Sequence, residues 1–234
     1  TEEPVAWREW LLRAVAGRPP DIQTLYSVTG ERRLDEYVLD WLPGYQGAAP
    51  VRVGNAAARQ LQLDIYGELM ATLHLARRAG LPPQPHAWRI QRALLDYLER
   101  HWEDADEGIW EIRGPRRQFT HSKVMAWVAF DRAVKSVEQF DLEGPVEHWR
   151  ELRDAIHARV CREGYNRKRK SFVQCLKGSA LDASLLLIPQ VGFLPPEDPR
   201  VRGTVEAVRR ELSRGALVWR YQTATGVDNL PPGE

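Results

Sequence analysis

The sequence predicts an all-α protein, an α/α toroid in which the chain alternates between an inner and an outer layer of helices. Three observations predict it: two kinds of helix take turns along the chain, the links between them are unequal in a regular way, and no fixed-period repeat is present.

Each element carries its own signal. Segment 55–79 opens at Asn55, an N-cap residue, and closes at Gly80. Its apolar residues occupy more than one face, with Leu61, Ile65, Leu69 and Leu73 on one and Leu63, Tyr66 and Met70 on another, so it is buried on several sides. Segment 86–102 carries a single stripe, Ile90, Leu94, Leu98 and Trp102, and is wet on its other face. Segment 120–139 is apolar around most of its circumference, through Val124, Met125, Trp127, Val128, Phe130, Val134 and Val137. Segment 145–163 returns to one stripe, Val146, Trp149, Leu152, Ile156 and Val160. Leu181 and Leu185 to Ile188 crowd segment 179–191, and 198–213 is striped again by Val201, Val205, Val208 and Leu212. Asp198 followed by Pro199 marks its N-cap and first turn.

Links from a buried to a striped helix are short (80–85, 140–144, 192–197), whereas those from a striped to a buried helix are long (103–119, 164–178 and 214 onward). The long links therefore fall at one end of the barrel, where a rigid scaffold presents a site and inner-helix N-termini offer free N–H groups. A helical-repeat solenoid also alternates helices, but it repeats at a fixed period.

Composition narrows the function. The 234 residues hold 43% hydrophobic side chains, enough for a sizeable core. Thirty-three Lys and Arg against 32 Asp and Glu leave a formal net charge of +1, with no global field to draw nucleic acid or an anionic membrane. The basic run Arg167 to Lys170 lacks interleaved aromatics and reads as a solvated loop edge. Nine Trp suit a neutral ligand such as a sugar, whose C–H faces pack on indole, though a single Trp is more often structural. Cys161 and Cys175 are too few and too far apart for a disulfide scaffold or a zinc ribbon. The six histidines form no paired-ligand spacing, so neither metal nor cofactor is expected. No apolar run reaches the roughly 18 residues of a membrane span, which predicts a soluble, cytoplasmic protein.

The loop 103–119 holds the most pointed chemistry. Gly108 and Gly114 bracket a run read as extended, with Trp110 and Glu111 on opposite sides. A carboxyl beside an indole is desolvated, the condition that fits it to serve as a general acid. The bland alternative is a solvated ion pair with a neighbouring Arg.

Several motifs in order resemble the bacterial branch of glycoside hydrolase family 15, the glucoamylase-like enzymes. They are Gly44-Tyr45, Pro50 to Ala57, Gln60 to Glu68, Gly108 to Gly114, Phe119 to Trp127, Leu181-Asp182-Ala183-Ser184 and Trp219-Arg220-Tyr221. The resemblance implies an incomplete (α/α)6 toroid that cleaves α-glucosidic bonds with inversion. It maps the family's acid to Glu111, a wall of the innermost subsite to Trp110 and a glucose-lining arginine to Arg220. The family's base belongs to a C-terminal Glu-rich motif and its sugar-gripping Arg-Asp pair to an N-terminal one, neither of which is found here.

Lys123 and His121, at the start of an inner helix, are candidates to bond sugar or tune Glu111, and Arg52 to shape the pocket rim. Asn55 is a candidate for the same rim, with helix capping as its equal alternative. Asp64 and Glu68, one turn apart, read as partners of nearby Arg or backbone groups rather than as paired acids. The substrate implied is an oligosaccharide or other α-glucoside, with oligosaccharide slightly preferred over trehalose. The whole chain, 1–234, reads as one partial catalytic domain truncated at both ends. Alone it is expected to be inactive, and to associate with the missing segments or with a second copy. The competing function is a non-enzymatic interaction module, in which Trp110, Glu111 and Arg220 would scatter along an arc.

Overall fold

The computed structural model describes residues 2–227. It divides into two compact units, Thr1–Leu61 and Gln62–Glu234. The first begins with α1 (Glu2–Ala14), which places Glu2 and Glu3 in its first turn and Arg13 in its last, the polarity that suits a helix dipole. The loop that follows is tied back to this helix: the Trp10 indole donates to the Val28 carbonyl at 3.0 Å and Arg32 to the Ala14 carbonyl at 3.3 Å. Strands β1 (Tyr37–Val38) and β2 (Arg52–Val53) pair antiparallel, Tyr37 opposite Val53.

The second unit holds the layered helices: α2 (Asp64–Arg78), α3 (Pro85–His101), α4 (Thr120–Phe140), α5 (Val146–Arg159), α6 (Leu187–Gln190) and α7 (Pro199–Leu212). Helix α4 buries 15 of its 21 residues, so it is covered on all sides, whereas α5 buries only Trp149 and Ile156. Side-chain contacts fix the directions. Gly67 meets Met125 near the starts of α2 and α4, and Arg77 meets Ser136 near their ends, at 2.8 Å, so the two inner helices run parallel. Tyr66 stacks on Tyr97 with centroids 5.5 Å apart while Arg77 bonds Gln91 at 3.1 Å, so α2 and the outer α3 are antiparallel. Trp88 meets Trp149 edge to face at 6.0 Å, joining outer helix α3 to outer helix α5.

Gly67 is required where it stands. A Cβ there would lie 2.2 Å from the Met125 carbonyl oxygen, so only glycine lets α2 and α4 approach this closely.

Helices α3, α4 and α7 follow the sequence expectation to within a residue at each end, and Asp198 caps α7 by accepting from the Arg200 N–H at 2.8 Å. Two expectations need correction. Segment 55–79 is not one helix: Asn55 caps a 3-10 turn, Ala56–Arg59, and α2 starts at Asp64. The break is stabilised from a distance, because the Leu63 N–H donates to Oδ2 of Asp106 at 3.0 Å. Segment 179–191 is also shorter than expected. The Gln174 N–H bonds the Ala180 carbonyl in the loop, and helical structure begins only at the 3-10 turn Ala183–Leu186, which Asp182 caps, and continues into α6. The end of α5 widens into a π turn, Val160–Gly164, and leads to a hairpin of β3 (Tyr165–Asn166) and β4 (Ser171–Phe172) inside the 164–178 connection. A second hairpin, β5 (Ser213–Arg214) with β6 (Leu217–Val218), follows α7. The expected loop from Gly226 onward lies, from 228, outside the described residues.

Candidate active site

The connection 103–119 is closed at its base, where Asp106 and Arg117 exchange both backbone hydrogen bonds, at 3.0 and 2.9 Å. Its tip is a turn rather than the extended run expected: the Glu111 N–H bonds the Gly108 carbonyl at 3.1 Å. Gly108 has φ +69°, and a Cβ there would sit 2.7 Å from the Phe119 ring, so the turn can form only over glycine. Glu111 itself has φ 54°, a left-handed conformation that non-glycine residues adopt at a cost and that gathers at functional sites. Its side chain is half-buried.

The three long connections meet here. The Thr120 N–H bonds the Gln174 carbonyl and the Leu176 N–H the Gln118 carbonyl, both at 2.8 Å, joining 103–119 to 164–178. The stretch after β6 is held beside Asp182 by the Ala183 N–H, which bonds the Arg220 carbonyl at 2.8 Å. Ile112, Phe119, Tyr221 and Val227 form an apolar cluster beneath, with Trp110 and Cys175 packed against it. The exposed guanidinium of Arg220 lies 5.8 Å from the centroid of the Trp110 ring and 5.8 Å from that of Tyr221, within cation–π range. The Trp110 indole N–H donates to Oδ1 of Asp182 at 2.8 Å.

Under the loop lies a buried polar group. Lys123 is fully buried, donates to the Asp104 carbonyl, and is pushed down to about 8 by burial, opposed by the charge of Asp106. Asp106, also fully buried, is raised by burial. Asp64 is pushed up to about 7 by burial and then by the charge of Asp106. His121 is lowered to about 4 by burial, and neither ring nitrogen finds a partner among the described residues. Lys123 and His121 are thus buried at the α4 N-terminus, close in sequence to the loop base. Arg52 belongs to the first unit, on β2, where its guanidinium faces Glu36 at 3.5 Å.

Two residues of this region escaped the sequence reading. Asp182 stands in a family-like motif that assigns it no role, and its distance of 72 positions from Trp110 leaves no local signal. Asp106 reads as one more charge in an acidic loop, since nothing in the sequence marks it as the one that bonds Leu63. Among the described residues no group of three or more His, Cys, Asp or Glu could hold a metal ion, and no helix is long and apolar enough to cross a membrane.

The layered helices and the converging loops define a chain with the fold of helical glycosidases. A solved wild-type glycosidase matches with TM-score 0.63 at 22% identity, over 77% of this chain and 50% of that one, and a glycosidase in complex with glucose matches equally. The model of glycosyl hydrolases family 15 matches residues 1–231, and the chain belongs to that family, whose fold is the (α/α)6 toroid. Relatives include a trehalase of Mycobacterium tuberculosis, 41% identical over 89% of this chain and 31% of the relative. Trehalases of Mycolicibacterium smegmatis (38% identical, 92% of this chain, 32% of the relative) and Thermoplasma acidophilum (36%, 91% and 37%) match as well. The chain spans about a third of the length of these curated relatives.

Proposed function

We propose that this chain carries the acid side of the active site of an inverting α-glucoside hydrolase, with trehalose as its substrate. The observation that carries the proposal is the turn 108–111, which presents Glu111 in a left-handed conformation beside Trp110, where three connections of the toroid meet and Arg220 overlies the indole. Trehalose is preferred over oligosaccharide because the named relatives are trehalases.

In this reading Glu111, protonated, donates to the glycosidic oxygen as the bond to the anomeric carbon breaks. Water attacks the opposite face of that carbon, and a second carboxylate takes its proton. On the family resemblance the base comes from the C-terminal Glu-rich motif, and an inverting pair stands roughly 6.5–9.5 Å apart to leave room for the water. Trp110 offers its ring face to the sugar, and the Arg220 guanidinium supplies donors for hydroxyls. An interaction module with these residues strung along an arc is disfavoured by their convergence.

The test is hydrolysis of trehalose, maltose and isomaltose by the complete protein and by its Glu111→Gln variant. The expected result is preference for trehalose, and a fall in kcat of about 100- to 10,000-fold on substitution with the fold intact. Near-normal turnover by Glu111→Gln would remove Glu111 from the mechanism. A preference for maltose would return the substrate to oligosaccharide.

A further inference from the structure

We propose that Asp182 is a positioning residue of this site, fixing the plane of the Trp110 indole and the place of Arg220 from one point in the chain. The inference rests on the function proposed above and adds to it a residue that never touches the sugar.

Asp182 is 2% exposed, and its carboxyl accepts four hydrogen bonds. Oδ1 receives the Trp110 indole N–H at 2.8 Å, the Ser184 N–H at 2.8 Å and the Ser184 hydroxyl at 2.6 Å. Oδ2 receives the Gln174 side-chain amide at 2.9 Å. Both oxygens are thereby held, and a held acceptor orients its donors. One residue on, the Ala183 N–H holds the carbonyl of Arg220. The dipeptide Asp182-Ala183 therefore fixes the side chain of Trp110 and the backbone of Arg220 together, which accounts for a guanidinium 5.8 Å above that ring.

Indole has a single hydrogen-bond donor, and in Trp110 it is committed to Asp182. Trp110 then meets a sugar only through its face and edges, while Arg220 does the hydrogen bonding. Rotation of the indole would take its face from beneath the Arg220 guanidinium and reshape the wall beside Glu111.

The experiment uses the complete protein with Asp182→Ala and Asp182→Asn, read by kinetics and by hydrogen exchange of the Trp110 indole proton. Asp182→Ala is expected to lower kcat about 100-fold, the scale of an ångström's misplacement of reacting groups, with KM changed far less. Its indole proton should lose protection. Asp182→Asn keeps an oxygen acceptor for the indole and should recover most of both. Should Asp182→Ala not fold, Asp182→Ser takes its place: its hydroxyl is too short to reach the indole, so it should show the same fall in kcat and the same loss of protection. Unchanged kcat or unchanged protection in the truncated variant, or an Asp182→Asn variant as impaired as the truncated one, would overturn the positioning role. If wild-type protein hydrolyses no α-glucoside while indole protection still depends on Asp182, the functional reading fails and the structural relation stands.

Discussion

The ammonium of Lys123, fully buried at the start of α4, donates to the backbone carbonyl of Asp104 at the root of the loop that carries Glu111. A buried cation held on a neutral carbonyl is costly in burial and useful in position. The charge of buried Asp106 offsets part of that cost. Removing one partner of a buried charge pair is destabilising by about 3–5 kcal/mol, because the other is left uncompensated. Lys123→Met is therefore expected to lower stability at pH 7 by about 3 kcal/mol, while the loosened loop lowers kcat by about 10- to 100-fold. Thermal melts beside steady-state kinetics check this. Full activity in Lys123→Met would show that the loop base is held by the Asp106–Arg117 pairing alone.

Gly67 gives the packing its most local test. Gly67→Ala places a methyl 2.2 Å from the Met125 carbonyl oxygen, a backbone atom that can yield only by moving α4. Overpacking of this kind costs about 1–3 kcal/mol, against a helix-propensity gain of at most about 1 kcal/mol for Ala over Gly. Urea denaturation should show net destabilisation. A stabilised variant would mean that α2 and α4 separate without penalty.

The layer order was legible because periodicity reports how many sides of a helix are covered. The full circumference of α4 and the single stripe of α5 need no partner identity to be read. Element ends were less legible wherever a distant group decides them. The start of α2 depends on Asp106, 43 positions from Leu63, and the start of the helical segment after 182 depends on pairing of Gln174 with Ala180. At the site, Trp110, Glu111 and Arg220 stood out through their resemblance to a family pattern. Asp182 did not, because a carboxylate that orients an indole looks in sequence like any helix cap. The tip of the loop reads as extended because a left-handed Glu has no sequence signal, unlike a left-handed Gly.

Arg220 should act through its cation as well as its donors. Arg220→Lys keeps the charge but loses the planar fork, and Arg220→Ala loses both. In the proposed hydrolase, kcat/KM for trehalose is expected to fall in the order wild type, Lys, Ala, with the Ala variant down at least about 10-fold, one missing cation–π contact plus hydrogen bonds to substrate. Equal kinetics for all three proteins would place Arg220 outside the sugar's reach.

The buried groups under the loop predict an opposed pair of pH effects. His121 is lowered to about 4 by burial, from 6.5. Between these values the unfolded chain binds a proton that the folded one does not, so this contribution to stability is complete above 6.5 and is lost as pH falls toward 4. Asp64 is pushed up to about 7 from 3.8, by burial and by Asp106. Here the folded chain holds the extra proton, so its contribution is complete below 3.8 and is lost as pH rises through 7. From pH 4 to 6.5 the two slopes have opposite sign and offset each other, each about 1.4 kcal/mol per pH unit at full strength. His74, lowered to about 4, adds a rising slope that is common to the wild type and both variants. Asp64→Asn should therefore make stability climb more steeply with pH across this window than in the wild type. His121→Gln should make it climb less steeply or fall. Denaturation at pH 4.5, 5.5 and 6.5 measures the slopes, which are insensitive to any constant cost of either substitution. Slopes that coincide in all three proteins would show that neither group changes its protonation on folding.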